Sequence, residues 1–300
     1  MNTSLGQIPF LNRRIIEANP LLEQFSSYLS RIDEYLAREL DLYSWSEFYA
    51  PLRYASDGGK RIRPLILVLS AETILANKNP TTDITEDMFL ASCAIELLHT
   101  ESVIHDDIID KEDYRRGKPS FHVKYGYNSS ILTGDFVLGI ILNICTKLNN
   151  ARVSAELSMA ATKMSEGEMM EIKLTKDPSL KDDDYIKVIE HKTASLFEAA
   201  SKIGSLLGGG TEEEICAMGS FGHLLGIAYQ IHDDIMDWNN EDRLFNILVR
   251  NNEQSVEFID RMEQLYISYS SKAKNELKKV TDSVSKKHLE HLTDLTFLQF

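Results

Sequence analysis

The sequence predicts an all-α protein, and three observations lead there. Apolar residues recur at helical spacing along nearly the whole chain, only seven prolines interrupt 300 residues, and no sustained alternating pattern or Asn-Gly hairpin signal lies between the apolar runs. Helices are expected at about residues 11–40, 44–56, 62–77, 85–113, 119–126, 128–149, 152–175, 182–207, 212–238, 253–277 and 282–298. Thr85 before Asp87, and Thr211 before Glu212-Glu213-Glu214, supply hydroxyl caps and acidic first turns that suit the helix dipole. Gly208-Gly209-Gly210 ends the helix that precedes Thr211. Pro80 and Pro178 mark short connections rather than linkers, so a single domain over residues 1–300 is the simplest count.

A hydrophobic content of 43% is ample for a sizeable core. The formal net charge of -14 argues against sequence-independent binding of nucleic acid, which needs a basic surface to displace counterions. Cys93, Cys145 and Cys216 lie in apolar helical contexts without metal-ligand spacing, so buried thiols in a reducing compartment are expected. Residues 1–9 lack the pattern of a signal peptide, and the longest apolar stretch, Ile131 to Cys145, is interrupted by Gly134 and Asp135. A cytoplasmic protein without a membrane span is the expectation.

Function is written most clearly in two segments, Asp106-Asp107-Ile108-Ile109-Asp110 and Asp233-Asp234-Ile235-Met236-Asp237. Each follows a histidine, His105 or His232, and each closes an apolar helical run. Residues four apart share a helix face, so Asp106 stacks with Asp110 and Asp233 with Asp237. Each pair repels itself unless a cation sits between. Magnesium takes oxygen ligands and is held by one or two protein carboxylates, with phosphate oxygens and water completing its shell. Two helices facing across a cleft and gripping a diphosphate through magnesium are therefore expected, against the plainer alternative of two solvated acidic stripes. Positive charge gathers in Gly58-Gly59-Lys60-Arg61-Ile62-Arg63-Pro64 and in Arg115-Arg116-Gly117-Lys118-Pro119. Both suit phosphate, although a basic helix start or a surface ion pair would have the same composition.

These residues resemble the trans-prenyl diphosphate synthases, or polyprenyl synthetases, which include geranylgeranyl and farnesyl diphosphate synthases. In the family's order occur the segment 58–64, Glu96-Leu97-Leu98-His99-Thr100, the first aspartate segment with Arg115 to Pro119, Gly134-Asp135, Glu166-Gly167-Glu168, Lys192-Thr193-Ala194, and Gln230 to Asp237. The likeness runs from about residue 45 to residue 238. It implies a helical bundle of the isoprenoid synthase type around a deep central cavity, usually a homodimer, and Mg2+-dependent head-to-tail condensation of an allylic diphosphate with isopentenyl diphosphate. By position, Asp106, Asp110, Asp233 and Asp237 would serve three magnesium ions, with Asp107 and Asp234 in support. Arg115, Lys192, Thr193 and Gln230 would contact the allylic diphosphate, and Lys60, Arg63, His99 and Arg116 that of isopentenyl diphosphate. His99 taken alone would read as a satisfied core histidine. No side chain is assigned as general base, because the departing diphosphate can take the proton.

The pattern breaks after Asp237. Family members continue with a loop carrying glycine and lysine, whereas this chain reads Trp238-Asn239-Asn240-Glu241-Asp242-Arg243-Leu244-Phe245-Asn246-Ile247-Leu248-Val249-Arg250. Arg243 or Arg250 is the available substitute, and the break leaves open a weakly active subunit that regulates a partner. In this fold, product length is set at the cavity floor, here Ile95, Leu98, Glu101 and Ser102. Neither Glu101 nor Ser102 is aromatic, so a product of about twenty carbons is expected, with fifteen and twenty-five open. Glu101 must be protonated, paired or turned toward the adjoining helix, because an isolated buried carboxylate is costly.

Overall fold

The computed structural model describes residues 24–78, 86–115, 117–238, 243–251 and 255–294. It is helical almost throughout, and it divides into two compact units, one built from Met1–Val68 and Thr85–Val153, the other from Leu69–Ile84 and Ser154–Gln299.

In the first unit the helices are α1 (Ser26–Asp41), α2 (Tyr49–Ser56), the start of α3 (Ile62–Lys78), α4 (Glu86–Ile109), α5 (Phe121–Tyr125) and α6 (Tyr127–Leu148). A two-residue hairpin, β1 (Tyr114–Arg115) and β2 (Lys118–Pro119), lies between α4 and α5. Residues Met88 to Leu98 of α4 are buried on every side, which makes α4 the central helix of this unit. It packs against α1 and α6. The expected helix over 85–113 stops at Ile109, because Lys111 takes a left-handed conformation at φ 57° and turns the chain into the hairpin. That hairpin also delays the helix expected at 119–126, which begins at Phe121.

Arg61 pins this unit together. Its guanidinium is buried and bonds Asp33 of α1 at 2.9 Å, Glu96 of α4 at 2.6 Å and the carbonyl of Ser56, at the end of α2, at 2.6 Å. Gly58 and Gly59 have φ of 81° and 98°, and Arg61 itself has φ of 53°, so the glycines supply a turn that other residues resist. Burial works against the arginine's charge, but Glu96 and Asp33 outweigh it and hold its pKa above the ordinary value.

The second unit contains α7 (Ala151–Leu174), α8 (Asp182–Ile189), a π-helical turn (Glu190–Ala194), α9 (Ser195–Leu207), α10 (Glu212–Asp237), α11 (Leu244–Asn251), α12 (Ser255–Leu277) and α13 (Val284–Leu292). Here α10 is central, packed on α9 and α12. Thr211 caps it as expected, its hydroxyl accepting from the Glu214 amide while Glu214 accepts from the Thr211 amide. Its glycines permit close approach to the preceding segment: a Cβ on Gly226 would lie 2.6 Å from Ala194 Cα. The helix expected over 182–207 is continuous, but its middle widens into the π turn.

Two expectations need correction. Residues Leu244–Asn251 are a helix instead of an open segment, because Leu244, Phe245, Leu248 and Val249 form an apolar stripe buried with Tyr185, Ile227, Ile231 and Phe258. Of the three thiols, which are all free, only Cys93 is fully buried; Cys216 is exposed because α10 turns its neighbours Ile215 and Ala217 inward. Thr85 and Pro80 lie outside the described residues, as do the ends of the helices expected at 11–40 and 282–298. By length and composition alone α6 could cross a membrane, yet Ser130, Thr133, Gly134, Val137, Ile140, Ile141 and Ile144 form a buried face.

Candidate active site

The first aspartate segment occupies the C-terminal end of α4. The Asp110 amide bonds the Asp106 carbonyl at 2.8 Å, so the helical register continues past Ile109 and the two carboxylates stay one turn apart. Asp106 is half-buried and Asp110 exposed. Asp107 turns the other way: it is buried, and its carboxylate accepts from Arg115 Nε at 2.5 Å. Burial pushes the Asp107 carboxyl above the usual range, and Arg115 opposes that. One turn earlier, Glu101 meets His105 of its own helix at 3.1 Å instead of turning to a neighbouring helix. That bond from Glu101 raises the imidazole pKa. A Cβ on Gly134 would run into the His105 ring, so the glycine is what lets α6 pass beneath it.

The second segment repeats the arrangement at the end of α10. Asp233 is half-buried and Asp237 exposed. Asp234 is again the held residue, one oxygen accepting from Tyr185 Oη at 2.7 Å and the other from Gln230 Nε2 at 2.9 Å. Gln230 accepts in turn from Thr193 Oγ1 at 2.8 Å, which links the π turn to the cluster. Burial pushes the Asp234 carboxyl up to about 7 although both hydrogen bonds act against it. Lys192, also on the π turn, meets Glu168 at 2.5 Å and Glu171 at 2.8 Å. Gly167 explains why the turn and α7 come so close, since a Cβ there would lie 2.5 Å from the Lys192 nitrogen. Single π turns inside α-helices are frequent at functional sites.

Lys60, Arg63 and His99 are half-buried. The bond from Arg61 to Glu96 ties the Lys60–Arg63 segment to the turn of α4 that carries His99, three residues on. Arg116 lies outside the described residues. Ile95 and Leu98 are buried, and Glu101 and Ser102 are half-buried. Arg243 and Arg250 are exposed, at the two ends of α11.

The donor chemistry fits magnesium. Among the described residues no group of three or more His, Cys, Asp and Glu is gathered into a metal cage. Each segment instead offers two carboxylates a turn apart, the arrangement used by a cation that completes its shell with phosphate oxygens and water. Sequence reasoning missed Asp33, Glu171 and Tyr185 altogether, and it gave Arg61 and Glu96 no role beyond their place in a motif.

The family model for polyprenyl synthetases matches residues 46–247. The chain is 34% identical over 223 residues to a geranylgeranyl diphosphate synthase of Methanosarcina mazei, an alignment that takes in 72% of this chain and 67% of that one. It is 37% identical over 184 residues to the octaprenyl diphosphate synthase of Escherichia coli, covering 61% of this chain and 55% of the relative. These matches thus span between about half and two thirds of the relatives' own length. A crystal structure of polyprenyl synthase from Caulobacter crescentus, complexed with calcium and isoprenyl diphosphate, has the same fold, with a TM-score of 0.76 at 23% identity over 93% of this chain and 97% of that one. The chain belongs to the polyprenyl synthetase family.

Proposed function

We propose that this protein condenses an allylic diphosphate with isopentenyl diphosphate, head to tail and dependent on Mg2+, and that residues 1–300 act as a single catalytic domain. The observation that carries the reading is the repeated division of labour in the two aspartate segments: the first and fifth carboxylates remain accessible, and the second is held by the protein. Asp106 with Asp110, and Asp233 with Asp237, would hold the metal, three ions with substrate bound, and calcium beside isoprenyl diphosphate in a protein of the same fold supports a divalent cation. Bound magnesium supplies the charge neutralisation that lets diphosphate leave the allylic carbon.

Arg115, Lys192, Thr193 and Gln230 bind and orient the allylic diphosphate in this reading. Arg115 and Lys192 are held ready on carboxylates, by Asp107 and by Glu168 and Glu171. Lys60, Arg63, His99 and Arg116 bind isopentenyl diphosphate. Apolar walls exclude water from the cationic carbon, and the departed diphosphate accepts the proton that restores the double bond. Relatives named for geranylgeranyl, geranylfarnesyl and octaprenyl products span a range; we assign geranylgeranyl diphosphate, because Ile95, Leu98, Glu101 and Ser102 put no aromatic ring in the first turns before Asp106. Leu98→Phe should shorten the product by at least one five-carbon unit, and an unchanged distribution would put the floor elsewhere.

We further assign a homodimer formed through α6. Ile131, Leu138 and Leu142 make an exposed apolar stripe on it, and exposed Gly139, with open space around its Cβ position, leaves room for a second helix to approach. Three free thiols suit the cytoplasm. The deciding experiment is incubation with Mg2+, isopentenyl diphosphate and each of the five-, ten- and fifteen-carbon allylic diphosphates, followed by chromatography of the dephosphorylated products. An elongated prenyl alcohol supports the synthase. Absence of product from folded protein overturns it in favour of a partner-dependent subunit.

A further inference from the structure

The part of the chain that departs from the family's pattern is joined to the second aspartate segment through a buried tyrosine. Tyr185 of α8 is 1% exposed, and its hydroxyl has found the Asp234 carboxylate. Behind its ring stands Phe245 of α11, with centroids 5.5 Å apart and planes at 59°. Phe258 of α12 backs Phe245 in the same way at 5.4 Å. Tilted aromatic pairs of this kind fix ring positions as well as burying area.

The last turn of α10 needs such support. It carries Asp233, Asp234 and Asp237 at the negative end of the helix dipole and contains no basic residue. Left alone, a turn of like charges at a helix end would fray. The Tyr185 and Gln230 bonds grip the one carboxylate of the three that points into the protein, and so fix the turn on which the other two stand.

We propose that Tyr185 is a positioning residue for the Asp233–Asp237 pair and that Phe245 holds it in place. The segment following the second aspartate cluster therefore serves the metal grip from behind, by bracing it. This inference rests on the synthase reading above.

Tyr185→Phe removes only the hydroxyl and keeps the ring that packs on Phe245. The Mg2+ concentration for half-maximal rate should rise about tenfold, as should the dissociation constant for inorganic pyrophosphate titrated calorimetrically with Mg2+ present, as expected from losing one hydrogen bond to a charged group. The KM for isopentenyl diphosphate should stay within about twofold of wild type and thermal unfolding should change little, since the ring's packing remains. Phe245→Leu should move the same two quantities in the same direction by a smaller factor. Unchanged Mg2+ dependence and pyrophosphate binding in both variants would overturn the proposal, as would an equal rise in both substrates' KM with a large fall in unfolding temperature. Wild-type protein that makes no product but binds pyrophosphate with Mg2+ defeats the synthase reading, while the calorimetric comparison still decides Tyr185. Wild-type protein that does neither defeats both.

Discussion

Asp106→Ala and Asp233→Ala should each lower kcat by roughly a thousandfold or more while leaving the helical circular dichroism unchanged. Each residue stands one turn from a second carboxylate at the C-terminal end of a long helix. Removing either relieves an i,i+4 repulsion of about 0.2–0.5 kcal/mol and an unfavourable interaction with the helix dipole, so stability should hold or rise slightly. Asp107→Ala should behave differently, because Asp107 is buried against Arg115 and its loss leaves an arginine without its carboxylate. That variant should lose stability as well as rate. Turnover near the wild-type rate in Asp106→Ala or Asp233→Ala would remove the metal grip, and with it the proposed reaction.

The parts of this design that were legible in the sequence are those whose physics is local. The Thr211 cap and its Glu214 partner are three residues apart, so the signal and the structure coincide. The aspartate pairs are one helical turn apart, and their stacking follows from the helix alone. Arg61 was visible only as one more positive charge in a basic segment, because its partners Asp33 and Glu96 lie 28 and 35 residues away. Tyr185 gave no signal at all, since a lone tyrosine in a short amphipathic helix reads as core until Asp234 is found opposite it, 49 residues on. Helix α11 was missed for another reason. Leu244, Phe245, Leu248 and Val249 follow helical spacing, but the segment was weighed against the loop it replaces instead of being read for its own period.

The contrast between Arg61 and its neighbours Lys60 and Arg63 explains what a basic segment does in an acidic chain. Lys60 and Arg63 are half-buried. Arg61, between them, is turned inward by its left-handed backbone and the two glycines before it. The alternation makes one residue of the segment an anchor and leaves its flanks for a ligand. Glu96 and His99 divide the facing turn of α4 in the same manner, the glutamate bound to the anchor and the histidine half-buried.

Arg61→Met should therefore cost more stability than loss of either flank. Arg61 and Glu96 are each 4% exposed and Asp33 is 1% exposed, so the substitution leaves two buried carboxylates without their shared cation. Breaking a buried ion pair on one side costs about 3–5 kcal/mol, which for a domain of this size lowers the unfolding temperature by roughly 10 °C. The loss should depend on pH in a definite direction. Burial already raises the Asp33 carboxyl above its ordinary value, and Arg61 is what pulls it back. A carboxyl whose folded pKa lies above its unfolded one contributes stability at low pH that is lost as pH rises through the folded value. Without Arg61 the folded value climbs further, so the gap in unfolding temperature between wild type and variant should narrow as pH falls from about 7 toward about 5. Arg61→Lys keeps a charge but not the planar fork that reaches Asp33, Glu96 and the Ser56 carbonyl together, and it should fall between the two. In whatever fraction of Arg61→Met folds, the KM for isopentenyl diphosphate should rise by at least about tenfold, with a smaller change for the allylic substrate, since a displacement of about 1 Å can cost a hundredfold. A stability deficit that is constant with pH would mean that Asp33 is not the charge Arg61 neutralises. Equal KM changes for both substrates would mean that Arg61 supports the unit as a whole rather than the Lys60–Arg63 grip.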